Sequence, residues 1–293
     1  MEHGFGKLDK LKVFVLAEDS VLYNTPYLAQ HGVSFFVQTY SGSERANVLV
    51  DVGQNTYALM HNMELMNIDS STIDAIVLTH CHYDHTRGIA EVLRKIGKRD
   101  LPVIAHPDIF RLNLSNDPVL RHVGMTLEDS REKIEESGGR LILARDPLMV
   151  FPGLITTGEV RRQTDFEGRG YRLFTVTDNG GVVEDRMMDD ISVVGITNSG
   201  IVILTGCSHA GIVNIIKHSA ELAKEDRVLA VIGGFHLIDA SDERIEKTVR
   251  ALSQMKIDRI YAGHCTGFKA QVELYREFGE RFSPLHTGMS FEF

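Results

Sequence analysis

Short apolar runs alternate with amphipathic stretches along the whole chain, and this pattern sets the order of elements. Residues 11–16, 32–39 and 48–52 read as successive strands of a first sheet. Residues 58–66 carry helical periodicity, 73–78 form a mostly apolar strand, and 87–96 are a helix beyond it. A strand at 102–105 precedes a weakly patterned segment, 107–146, with a charged helix near 127–137. That segment is expected to form a cap. Strands resume at 149–158, 171–176, 191–197 and 201–204. A helix at 212–223, strands at 228–232 and 259–263, and a helix of two to three turns after Gly267 complete the order. The second half therefore has the look of βα units, and periodicity by itself yields a mixed α/β protein.

Composition narrows this to one globular domain over residues 1–293. The hydrophobic fraction of 43% and charged fraction of 24% are ordinary for a chain that buries a large core. No apolar run approaches the roughly 18 residues that span a bilayer. The polar first ten residues lack the basic-then-apolar order of a signal peptide, so a cytoplasmic location and no membrane partner are expected. Three cysteines, Cys81, Cys207 and Cys265, are too few for a disulfide framework in a chain of this length. A net charge of −9 argues against a nucleic-acid partner. Arg161, Arg162, Arg169 and Arg172 suffice for one phosphate group on a small substrate, or form a solvated edge.

The chemistry concentrates in Thr79-His80-Cys81-His82-Tyr83-Asp84-His85, directly after the apolar strand. Imidazole and carboxylate at this spacing suit a divalent metal. On one loop, His80 and His82 can serve one ion while Asp84 and His85 reach a second. Two further histidines, His209 and His264, each follow a strand, and His236 follows a third. Each cysteine lies within two residues of one of the candidate ligand histidines.

The H-x-H-x-D-H loop resembles the metallo-β-lactamase superfamily. Asp51, in Asn47-Val48-Leu49-Val50-Asp51-Val52-Gly53, is similar to the turn Asp that supports the histidine loop there, and is equally a turn residue before Gly53. Thr205-Gly206-Cys207-Ser208-His209-Ala210-Gly211, Gly233-Gly234-Phe235-His236-Leu237 and Ala262-Gly263-His264-Cys265-Thr266-Gly267 resemble one branch, the 7,8-dihydropterin-6-yl-methyl-4-(β-D-ribofuranosyl)aminobenzene 5′-phosphate synthases. The likeness covers nearly the whole chain from about Val21. Two positions depart from the superfamily pattern. The segment 185–192 has no histidine where a third-motif ligand is usual, and Cys207 stands where a bridging Asp is usual. His209 replaces one missing ligand, and Cys207 or Asp190 supplies the other.

The resemblance implies an αββα four-layer sandwich with metals at one edge between two sheets. It implies two divalent ions, zinc first, with manganese, magnesium or iron as alternatives. His80, His82, Asp84, His85, His209 and His264 would be the ligands, with Asp84 and His236 in catalysis. Arg161, Arg162 and His236 would bind a small phosphorylated substrate of pterin type. The reaction would be either phosphoester hydrolysis or a condensation in which the metals neutralise a departing phosphate while an aromatic partner displaces it. A di-iron redox enzyme and a non-catalytic sensor are the alternative readings. Homo-oligomerisation stays open, because apolar Met289, Phe291 and Phe293 offer a surface for docking on the same or another subunit.

Overall fold

Side-chain alternation along the strands sorts the core into layers. In the computed structural model, which describes residues 4–168 and 172–293, Val48 and Val50 enter one cluster while Leu49 enters another. In the same way Val202 and Leu204 face one side of their strand, and Ile201 and Ile203 the other. That is the two-residue period of a pleated strand covered on both faces.

The first sheet has the strand order Ser290–Glu292, Lys10–Ala17, Ser34–Ser41, Glu44–Val50, Ala75–Val77, Leu101–Ala105, Gly139–Leu143. The second has Phe282–Pro284, Ile257–Gly263, Val228–Gly234, Ile201–Thr205, Ser192–Ile196, Leu154–Thr156, Met149–Phe151. Val13, Val15, Phe35 and Val77 of the first sheet meet Val193, Val202, Leu204 and Ile232 of the second between them. Helices Thr56–Leu65, Ile89–Ile96 and Arg131–Glu136 cover the outer face of the first sheet. Helices Ile212–Ala223, Asp242–Ser253 and Phe268–Phe278 cover the second. The result is the expected four-layer αββα sandwich.

Each sheet is parallel over one half. The loops that carry Asp51, His80 and His106 leave the parallel strands of the first sheet at their C-terminal ends. Those carrying Cys207, His236 and His264 do the same in the second. Both sets meet at one edge of the sandwich.

A third sheet lies beside that edge, in the order Val182–Glu184, Leu173–Val176, Asn113–Ser115, Arg121–His122. Segment 107–146 thus divides. Its first part enters the small sheet with a hairpin from 173–184, while Ile134 packs in the outer helical layer and Gly139–Leu143 extends the first sheet. At the C-terminus, Phe291 pairs with Val13 and packs tilted on Tyr261 with ring centroids 4.2 Å apart, and Met289 and Phe293 pack on the inter-sheet core. Their apolar surface docks on their own chain.

Candidate metal centre

The histidine loop is braced from beneath. Asp51 has φ +56°, a left-handed conformation that Asp tolerates, and its carboxylate turns toward the loop. It accepts hydrogen bonds from Thr79 N and Thr79 Oγ1, both at 2.7 Å, and lies 2.8 Å from His85 Nδ1. A carboxylate only accepts, so His85 carries its proton on Nδ1 and aims Nε2 into the site. His264 is held in the same sense, with Nδ1 2.9 Å from Asp19 Oδ1 and its backbone N–H donating to Glu18. Four non-glycine residues around the cluster, Asp51, Ser208, His236 and His264, have positive φ. Such conformations cost about 1–3 kcal/mol each and persist where surroundings over-determine them.

Two groups of donors result. His82 Nδ1 lies 3.2 Å from both His80 Nε2 and His209 Nε2. Asp84 Oδ2 lies 3.3 Å from His85 Nε2 and 3.1 Å from His264 Nε2. Cys207 Sγ is 3.2 Å from His85 Nε2 and falls within 4.8 Å of donor atoms of Asp84 and His264 on one side and of His80 and His209 on the other. Cys207, not Asp190, is therefore the side chain between them. Asp190 instead accepts from Ala210 N at 2.8 Å and holds the His209 loop. Burial pushes its carboxyl up to about 7.

The two groups differ in charge. Burial, reinforced by neighbouring imidazoles, pushes His80 and His209 well below the ordinary histidine range; burial brings His82 down to about 4. Three neutral imidazoles thus converge, an arrangement that fits a cation. Burial also works against the charged forms of His85 and His264, but neighbouring acidic groups outweigh it: Asp84 and Asp51 raise His85 to about 9, and Cys265 together with Asp19 and Asp84 raises His264. Asp84 is held well below the carboxylate range, with its burial overcome by His85 and His264. Imidazole, carboxylate and one thiol are a donor set suited to zinc-like divalent ions.

A cavity of about 380 Å³ opens over the cluster, with Asp19, His31, Tyr83, Arg121, Leu173 and His236 in its lining. His236 stands beside His209, with ring centroids 4.1 Å apart. The two arginines nominated from sequence lie elsewhere. Arg161 pairs with Glu221 at 3.3 Å on the outer helix, and Arg162 donates to the carbonyls of Gly168, Arg186 and Met187. Neither guanidinium lines the cavity, and among the described residues Arg121 is the arginine that does. Arg169 lies outside the described residues. Sequence reasoning also missed Asp19, His31 and Asn113. The adjacent acids Glu18-Asp19 beyond the first strand were the one local signal; the other two are isolated polar residues in loops or short strands.

Two facing sheets with clustered metal-ligating side chains at one edge define a metal-binding sandwich. The chain belongs to the metallo-β-lactamase superfamily, whose sequence pattern matches residues 29–264, and this places it among metal-dependent enzymes. It is 40% identical to the 7,8-dihydropterin-6-methyl-4-(β-D-ribofuranosyl)-aminobenzene-5′-phosphate synthase of Methanocaldococcus jannaschii, over 98% of each chain. An uncharacterized protein of the same organism is 32% identical over 86% of this chain and 91% of its own length. Among solved structures, Tm1679, a metal-dependent hydrolase of the β-lactamase superfamily, superposes with a TM-score of 0.78. It is 27% identical, covering 96% of this chain and 98% of its own. Among the described residues, no helix is long and apolar enough to cross a membrane.

Proposed function

We propose that this chain uses two divalent ions, zinc foremost, to act on a phosphorylated small molecule of pterin type, by a condensation in keeping with the synthase name of its M. jannaschii relative. The observation that carries this reading is the pair of donor groups sharing Cys207 beneath one cavity. His80, His82 and His209 would hold one ion, Asp84, His85 and His264 the other, with Cys207 between them. Bound there, divalent metal supplies Lewis acidity toward phosphoryl oxygens and stabilises charge on a departing phosphate.

The protein's own side chains do the rest. Arg121, on the small sheet, offers a forked cation to a phosphate at the cavity mouth. Tyr83 and Leu173 give walls against which a flat ring can pack. His236, beside the cluster, is placed to pass a proton to the departing group. Condensation and hydrolysis share these requirements and differ in whether a second substrate or water arrives.

The test pairs metal analysis with turnover on wild type and His82→Ala. The substrates are a panel of phosphoesters and an activated dihydropterin diphosphate given with 4-(ribofuranosyl)aminobenzene 5′-phosphate. Two ions per wild-type chain and a condensed product, both lost in the variant, are expected. Phosphate release without a condensed product assigns a hydrolase. Stoichiometric metal with no turnover on any substrate overturns the reading.

A further inference from the structure

His82 touches the donor cluster through Nδ1, whereas His80, His85, His209 and His264 all turn Nε2 toward it. That choice needs a cause, because an imidazole offers a lone pair on only one nitrogen at a time. The opposite nitrogen, His82 Nε2, lies 3.2 Å from Asn113 Oδ1. Asn113 is fully buried and comes from the small sheet, not from either sheet of the sandwich.

The orientation of the Asn113 amide follows from chemistry. Its Nδ2 donates to Asp185 Oδ2 at 2.7 Å. Turning the amide over would set its oxygen against that carboxylate, so Oδ1 must face His82. An oxygen there accepts, so His82 must carry its proton on Nε2. The lone pair is left on Nδ1, the atom that meets His80 and His209.

A closed ring of hydrogen bonds and one ion pair holds this arrangement. Arg111 donates to Asp185 through Nε at 2.6 Å and Nη2 at 3.0 Å, and reaches Asp189 Oδ1 at 2.8 Å. Asp189 Oδ2 then accepts from Cys81 N at 2.8 Å, between His80 and His82. The ring begins and ends on the ligand loop. One cation and two carboxylates leave it with a net negative charge beside the donor cluster. Asp189 is fully buried, and Asp185 nearly so.

We propose that Asn113 is a positioning residue that fixes His82 as an Nδ1 ligand, held in place by Asp185, Arg111 and Asp189. The inference rests on His82 being a metal ligand and is independent of which reaction follows. A supporting partner of this kind is worth roughly ten- to hundredfold in metal affinity.

The direct test is imidazole ¹⁵N NMR of the zinc-loaded wild-type protein. The His82 proton is expected on Nε2, with zinc on Nδ1; zinc on Nε2, or a proton on Nδ1, overturns the proposal without any variant. Zinc affinity is then measured by chelator competition in Asn113→Leu and Asn113→Asp. The leucine variant should bind zinc roughly ten- to hundredfold more weakly. The aspartate variant retains an acceptor toward His82 and should preserve the Nε2–H tautomer, provided that its other oxygen carries a proton and donates to Asp185 in place of Nδ2. Wild-type affinity in Asn113→Leu overturns the proposal. A wild-type protein that holds no zinc defeats the metal-ligand reading as well, and His82 with its proton on Nδ1 in that protein defeats the proposal separately.

Discussion

A methyl group on Gly206 would collide with Thr79 Oγ1 and stand 3.1 Å from Asp51 Oδ2. The strand Ile201–Thr205 can reach the histidine loop only because this position is bare. Gly206→Ala should therefore destabilise the protein by about 1–3 kcal/mol through overpacking and loosen the Thr79–Asp51 bond. Thermal unfolding and zinc stoichiometry, measured together, check both effects. Asp185 makes a second prediction. Its burial opposes ionisation, but Arg111 outweighs that and holds the carboxyl below the usual range. A group depressed in the folded state contributes stability above its unfolded pKa, near 4, and loses it as pH falls through the folded value. Asp185→Asn should cost about 3–5 kcal/mol at pH 7, and the difference from wild type should shrink below about pH 4. Urea unfolding across pH 3–8 reads this out, and a difference independent of pH would contradict the ion-pair account. The loop His80 to His85 was legible because its candidate ligands are neighbours in sequence. His264 and Asp19 are 245 residues apart, and no local pattern announces such a pair.

At the level of elements, most boundaries followed from apolar periodicity, and the helix Ile212–Ala223 matches the expected span. Two segments were subdivided by local chemistry. The strand expected over 149–158 is a hairpin, Met149–Phe151 and Leu154–Thr156, because Gly153 takes φ +82° between them. The charged helix near 127–137 breaks at Ser130, whose side chain caps Arg131–Glu136. The small sheet was not legible as a unit. Its strands are two to four residues long, and its two local hairpins pair with each other across some 60 residues of intervening chain, as Leu173 does with Ser115. That sheet carries Arg121 to the cavity, so Arg121→Ala should raise KM for a phosphorylated substrate roughly tenfold while kcat changes little. Steady-state kinetics against a dephosphorylated analogue checks it, since the analogue should show no such change. The same substitution at Arg161 should leave KM alone, because that side chain faces the outer helix.

Over the whole molecule, the last strand closes the exposed side of Lys10–Ala17. Deleting residues 289–293 should uncover that strand's edge and part of the inter-sheet core. Lower thermal stability and concentration-dependent aggregation are expected, both measurable by light scattering during a melt. The substitution Phe291→Ala isolates the packing share, at about 2 kcal/mol, because the ring is only half-buried and a full Phe→Ala loss is about 3–5 kcal/mol. The sequence by itself determined the order of strands and helices and the candidate ligand loop, while the four-layer sandwich was implied by the family resemblance that its motifs carry. Strand periodicity, helix periodicity and an H-x-H-x-D-H cluster are all encoded within a few residues of one another. Only the tertiary structure decided that Cys207 stands between the donor groups, that Arg121 replaces Arg161 and Arg162 at the cavity, and that Asn113 meets His82. Those relations depend on where loops from two sheets and a small third sheet converge. Convergence is a property of packed layers, and a one-dimensional pattern carries no measure of it.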